Sequence, residues 1–502
     1  MAANIFLGTI DSNWGTATNW SLLAVPTASD GNTATFNVLS PDCTVNTSAR
    51  VCNSIDFTGY TNTITMTQQI TVSGNITLDP GMLIAGAASL RADATNTMTS
   101  NGKTWPNGFA FVTNAVTFTL ADNWTVTGTV TITGNNIIVN GNNLSCETSI
   151  LMSNGSSGTT TFIMTGTGSW SGAGLLKNNL TFNTAGTITI GSMSYNTGTI
   201  TYTAGTMNVS GTLTVALSTT FNTSGMTWVA INISGVSTIT NNSALTMSGQ
   251  LTIGGAGTTS INGSDWNVQG GYSANAGRLL AGTAKIVFSG SGTQTLSFGN
   301  AATIANNVDF NSLGTIILSG PITAFGYTTG TFTYIAGTIS ITGGGSFLIT
   351  GSCTLNTAGI TWDNVTVSAV STITNNSLLT GAGTLTTSSF AVTWAGTSGW
   401  TVANYSLTTG DNILKSGLTY TITTSILSVG TLANNGSFTS SIGGSQAILT
   451  LTNPTTQDNG FLNGTDIDSS LGATVWTYKG TLSNATNWKT LPTQPPTLSY
   501  SS

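Results

Sequence analysis

Apolar and hydroxylated residues alternate along most of this chain. The stretches TNTITMTQQITVSGNITL (61–78) and NWTVTGTVTITGNNIIVNGNNL (123–144) place Ile, Val, Met and Leu at every second position, with Thr, Ser and Asn between them. That period of two predicts strands with one buried and one wet face. Ser-Gly, Thr-Gly, Asn-Gly and Gly-Gly pairs interrupt the pattern every few residues and predict turns. Asn-Asn and Asn-Gly tolerate the positive φ that tight corners demand. Strong helix formers are scarce, with a single Glu at Glu147, so the expected class is all-β.

The pattern also repeats. TGTITYTAGT from Thr197 returns as TGTFTYIAGT from Thr329. FNTSGMTW (221–228) returns as LNTAGITW (355–362), and VSTITNNS (236–243) returns unchanged at 370–377. The three offsets are nearly identical, so two blocks run in the same order with almost no slippage. Asn-Asn pairs at Asn178, Asn241, Asn306, Asn375 and Asn434 mark a finer beat, at roughly half that offset. Periodic short strands are the signature of a stacked array, in which each repeat packs only on its neighbours.

Two architectures meet this description. A series of sandwiches needs antiparallel hairpins and domains near 100 residues. A parallel β-helix needs short strands, tight corners and turns of roughly 20 residues stacked about 4.8 Å apart. The beat suits about three β-helix turns and is too short for a sandwich. The expected fold is therefore a parallel β-helix (β-solenoid) with aromatic-rich terminal caps. It would hold about 20 turns in a rod about 100 Å long at that spacing. The expected divisions are a cap or attachment region at 1–60, the repetitive helix at 61–455 with duplicated blocks at about 166–300 and 301–435, and a C-terminal cap and extended tail at 456–502. Ile188, Ile190, Leu213, Val215, Ile316 and Leu318 are expected inside, and some Asn side chains should stack amide to amide in ladders inside or at corners.

Composition removes several function classes. Hydrophobic residues make up 39% and mean hydropathy is +0.20, which excludes a disordered chain despite Thr being roughly a fifth of it. Only 5% of residues are charged, 15 acids and 9 bases giving −6, and the bases are scattered from Arg50 to Lys489. Nucleic-acid binding needs clustered bases, so that partner is not expected. No window nears 18 uninterrupted apolar residues, so no membrane insertion is expected. The N-terminus lacks the basic and apolar stretches of a secretory signal. A hydroxyl-rich surface made in a cytoplasm suits a virion protein, assembled inside a cell and released by lysis.

The ends differ from the middle. DSNWGTATNWSLLAVPT (11–27) carries Trp14 and Trp20, and TVWTYKGTLSNATNWKTLPT (474–493) carries Trp476 and Trp488. Both contain Ala-Thr-Asn-Trp, followed shortly by Pro-Thr. These four Trp residues are the candidate assembly or anchor residues, with capping of the open core as the other reading.

The NW-x-PT opening, the GTGSW and NNLTFNTAGTITI phrases between Gly166 and Ile190, and NTAGITWDNVTVS (356–368) resemble the β-strand-repeat structural proteins of tailed bacteriophages. They also resemble secreted bacterial β-solenoid adhesins. The likeness covers 166–424 best and carries no site residues. It implies a non-enzymatic fibre, spike or surface appendage located on the virion and attached by its N-terminal end, which makes the Trp14–Trp20 segment the expected anchor. The implied partners are other virion structural proteins and its own copies, a homotrimer first, with a host-surface glycan as a candidate ligand. A secreted or cell-surface adhesin is the alternative. A polysaccharide-degrading tailspike and an ice-binding solenoid are further alternatives.

Candidate chemistry is sparse. With no His, neither a nucleophilic triad nor a typical zinc site can be built, and no phosphate loop is present. No catalytic residue, cofactor or metal is expected. Asp265, Asp309, Asp363 and Asp411, with Trp266, Trp362 and Trp400 as sugar platforms, would be the carboxylates of a glycosidase. Asp at turns more often binds backbone amides. Asp458, Asn463, Asp466 and Asp468 offer oxygens for calcium without EF-hand spacing. The TxT rows at 63–67, 127–133 and 199–201 carry the ice-binding alternative. Cys43 and Cys52 could pair, although Cys43, Cys52, Cys146 and Cys353 read better as small core residues.

Overall fold

The computed structural model describes residues 2–491 except 135–136, 154, 173, 256, 321–322, 388–390, 408, 429–435, 453–455, 460–461 and 479–481. The side chains of residues 324, 427–428, 456–459, 476, 478 and 491 are also outside the description. The proline-rich tail and the Asn-Asn pair at 434 lie outside the described residues. The chain is all-β, 58% strand and 1% helical, and forms a parallel β-solenoid of about 20 turns. It divides into two compact units, Met1–Leu245 and Thr246–Ser502.

Turn length follows from register. In the first unit Arg50 pairs with Ile70, and Ile70 pairs in turn with Leu90, so the spacing between partners is the length of one turn. Most turns are built of short strands, while in some, such as Asn179–Ile190 and Val308–Ser319, one long strand with a register shift spans two faces; the strands pair in parallel with their counterparts one turn on. One ladder runs from Ala3–Ile5 through Thr33–Thr35 and Ser54–Asp56. A second begins at Arg50–Cys52 and continues through Ile70–Val72 and Leu90–Ala92. The third face holds Cys43–Val45 and Thr63–Met66 early, then Trp124–Val126 and Leu144–Cys146. Parallel pairing requires a long connection back to the starting edge, and here the rest of the turn is that connection. The region expected as the 1–60 cap thus already contains turns of the ladder.

Alternation fixes which residues fill the core. Ile70, Leu90, Phe109, Val130, Ile150, Trp170 and Ile190 are successive register partners and are all buried. The six residues expected inside, Ile188, Ile190, Leu213, Val215, Ile316 and Leu318, are buried too. In the second unit Trp266, Ile286, Val308, Phe332 and Leu355 form a similar column that ends on the buried Asn375. In the first, Ile200 and Phe221 lead to the buried Asn241.

The duplicated sequence builds the same corner twice. Asn178 donates to the Val139 and Thr160 carbonyls at 3.2 Å each, and its own carbonyl accepts the Tyr195 hydroxyl at 2.7 Å. Asn306 donates to the Ala284 carbonyl at 2.8 Å and accepts Tyr327 at 2.9 Å. Gly198 and Gly330 follow at φ +117° and +102°, and a Cβ there would meet the Tyr195 and Tyr327 hydroxyls at 2.8 and 3.0 Å. Asn178 and Asn306 thus cap the Thr160 and Ala284 corner carbonyls. The expected amide-to-amide contact is seen from Asn242 Nδ2 to Asn222 Oδ1 at 2.7 Å, on the surface.

The N-terminal end of the first unit is plugged by aromatic rings. Trp14, Trp20, Phe6 and Phe36 are buried, with ring centroids 4.9 to 5.6 Å apart. The Trp20 indole donates to the Trp14 carbonyl at 2.8 Å. The same segment closes strand edges. Phe6 and Trp20 form an antiparallel bridge beside Ala3–Ile5, and the Trp14 amide donates to the Thr44 carbonyl at 2.9 Å. We expect Trp20→Ala to cost about 3–5 kcal/mol in denaturant unfolding of the N-terminal turns, the usual loss for a core Trp. Light scattering should show self-association as the Ala3–Ile5 edge opens.

Candidate functional site

The outer faces of both units carry shallow depressions. In the first unit one of about 300 Å³ is lined by Thr197, Thr199, Ser218, Thr220, Thr238 and Thr240. In the second, one of about 370 Å³ is lined by the equivalent Thr329, Thr331, Ser352, Thr354, Thr372 and Thr374. Register explains them: Thr199, Thr220 and Thr240 are partners on successive turns, as are Thr331, Thr354 and Thr374. These hydroxyl arrays are three turns long. Elsewhere an outward column reads Thr71, Arg91, Ala110, Thr131, Leu151, so its chemistry changes at each turn. That interrupts the regular array the TxT rows suggested.

The proposed sugar platforms are internal. Trp266, Trp362 and Trp400 are fully buried. Trp362 stacks on Phe347 at 4.3 Å and Trp400 on Tyr405 at 5.1 Å. Asp265 and Asp309 both face Lys285, at 3.5 and 2.9 Å. The hydrogen bond that Lys285 donates to Asp309 comes first among the causes holding the Lys285 pKa above its ordinary value. Asp411 accepts the Ser437 hydroxyl at 2.5 Å, and Asp363 is exposed on the turn after Trp362. The structure thus brings Asp265 and Asp309 together, through a cation that sequence reasoning did not single out. Lys285 precedes Ile286 just as Asp265 precedes Trp266, and those two are register partners, so the pairing could have been found from turn length.

Trp14 and Trp20 lie inside the first unit, and Trp488, 6% exposed, lies inside the second with its indole donating to Ser469 Oγ at 3.0 Å. The side chain of Trp476 lies outside the described residues. The two Ala-Thr-Asn-Trp phrases are used alike. Asn19 donates to Asp11 and to the Asn13 carbonyl, Asn487 donates to the Ser469 and Gly472 carbonyls, and each following Trp turns inward.

Of the calcium candidates, the Asp458 side chain lies outside the described residues. Asp466 accepts from the Asn484 amide group at 2.6 Å and the Gly444 backbone at 3.0 Å, and Asp468 accepts from the Ser470 backbone at 2.8 Å. Among the described residues no cluster of three potential metal ligands occurs. Cys43, Cys52, Cys146 and Cys353 are buried free thiols, and burial pushes the Cys353 thiol up to about 12. No family model, curated protein or solved structure matches the chain.

The Asp466 carboxyl is held below its ordinary value by the Asn484 hydrogen bond first and the Gly444 amide second. A lowered folded pKa stabilises the fold above the ordinary value of about 3.9 and is lost as pH falls through the folded value. We expect the protection of the Gly444 amide against hydrogen exchange, taken relative to the intrinsic rate at each pH, to fall on acidification below that range. In Asp466→Asn, whose side chain also accepts but does not titrate, the acid-dependent part should vanish.

Proposed function

We propose that this protein is a non-enzymatic structural component of a bacteriophage particle, a fibre, spike or surface appendage that presents β-solenoid faces for attachment or host-surface binding. The observation that carries this reading is that the fold commits its described Trp side chains and most of its aliphatic ones to the core and turns hydroxyls outward. Trp266, Trp362 and Trp400 stack internally, and the outer depressions are shallow and Thr-lined. A β-solenoid is consistent with a fibre or adhesin-like role. In this reading Trp14 and Trp20 stiffen the attaching end, and exposed neighbours such as Ile10, Leu23 and Leu39 make the contact with other virion proteins. The secreted adhesin is the competing role.

Mass spectrometry of purified particles and of particle-free supernatant from the same culture separates the two. We expect the protein with the particles; its recovery only in the supernatant would favour the adhesin and reject the virion assignment. The leading assembly is a homotrimer packed side by side, since a surface with few charges repels its copies weakly. Sedimentation equilibrium of the purified chain should return three times the chain mass of 51.1 kDa, and a single-chain mass would reject the trimer.

A further inference from the structure

We propose that a groove around Arg91 in the first unit binds a carboxylate-bearing sugar. The groove has a volume of about 300 Å³ and is lined by Arg91, Gln69, Ser89, Ala110, Thr129 and Thr131, among others. It arises where the outward column loses bulk. Arg91 is register partner to Ala110, and Ala110 to Thr131, so a methyl group sits between a guanidinium and a hydroxyl on adjacent turns. Gly108 extends the same notch beside Ser89 and Thr129.

The guanidinium is not committed within the fold. Its Nε is shielded without a hydrogen-bond partner, and among the described residues no ion pair or hydrogen bond occupies the rest of the group. The carboxylate nearest in sequence, Asp93, accepts the Ser73 hydroxyl at 2.9 Å. Several other bases are engaged: Arg50 bonds Thr47, Lys103 bonds the Met82 carbonyl and Lys285 pairs with two carboxylates, whereas Arg278 shares the shielded, unpaired Nε of Arg91 but lines none of the grooves described. A planar fork with free terminal nitrogens matches a carboxylate. The surrounding hydroxyls and the Gln69–Ser89 pair, bonded at 2.8 Å, match sugar hydroxyls. One cation among neutral donors selects a sugar with one negative charge.

The inference rests on reading the protein as a surface-presenting solenoid and names the glycan class such a surface would take. Its test uses the purified full chain, so its failure leaves particle detection untouched. Calorimetric titration with oligogalacturonate, oligoglucuronate and sialyllactose should show saturable binding to at least one, and none to neutral maltotetraose. Arg91→Gln should weaken it about tenfold or more, and Arg91→Lys less. Ala110→Phe, which fills the groove from an outward position and leaves Arg91 in place, should abolish it. Unchanged melting of each variant shows that the fold is intact. No binding to any of the three acidic probes, or binding that survives both Arg91→Gln and Ala110→Phe, would overturn the proposal. Tighter binding of dextran sulfate at the same residues would overturn the carboxylate assignment.

Discussion

Within each unit the described turns are hydrogen-bonded to their neighbouring turns, and that parallel pairing sets nearly everything else. Once Ile70 is locked beside Leu90 and Leu90 beside Phe109, the inward position is inward on every turn. A one-residue slip would turn the whole column outward. The sequence must therefore supply an apolar residue at the same phase turn after turn, and the column from Ile70 to Ile190 does so. The corners are the exception. There the backbone leaves the ladders, its carbonyls face the interior, and buried side chains such as Asn178 and Asn306 satisfy them.

The same stacking explains the low charge. Outward residues on adjacent turns sit about 4.8 Å apart. Two like charges at that spacing repel by up to about 3 kcal/mol at an effective dielectric of 20. Thr avoids that cost, suits strands and stays wet, so it dominates the outward columns. In one cluster the charges alternate in sign, with Lys285 between Asp265 and Asp309. The ladders' open ends are a separate hazard, met at the N-terminus by the Trp14–Trp20 plug and the bridge from Phe6 to Trp20.

Alternation and repetition made the fold class, the turn length and the inward phase legible. Leu213 and Ile316 could be placed inside because period two and a near-constant turn length leave no other phase. The roles of single Trp residues were not legible. Asp265-Trp266 looks like an acid beside a sugar platform in the sequence, but strand alternation points the two side chains to opposite faces, Trp266 inward and Asp265 toward Lys285. The Trp-rich ends have the same ambiguity, since a ring that plugs a core and a ring that docks a partner are written with the same letter. Arg91 was lost among scattered bases, because its significance depends on Ala110 being its neighbour one full turn further along the chain.

That last point bears on where function resides in such a fold. A solenoid with its large side chains committed to the core has little freedom inside, since each inward residue is constrained by two neighbouring turns. Outward columns are constrained only to be wet, strand-forming and mutually tolerant of charge. A column that keeps to Thr meets those demands and needs no further explanation. A column that runs Thr71, Arg91, Ala110, Thr131, Leu151 departs from them, placing a long cation beside a methyl group with no folding benefit from a partner. Recognition in this architecture is thus to be sought where an outward column breaks its own pattern, because folding alone does not account for the residues found there.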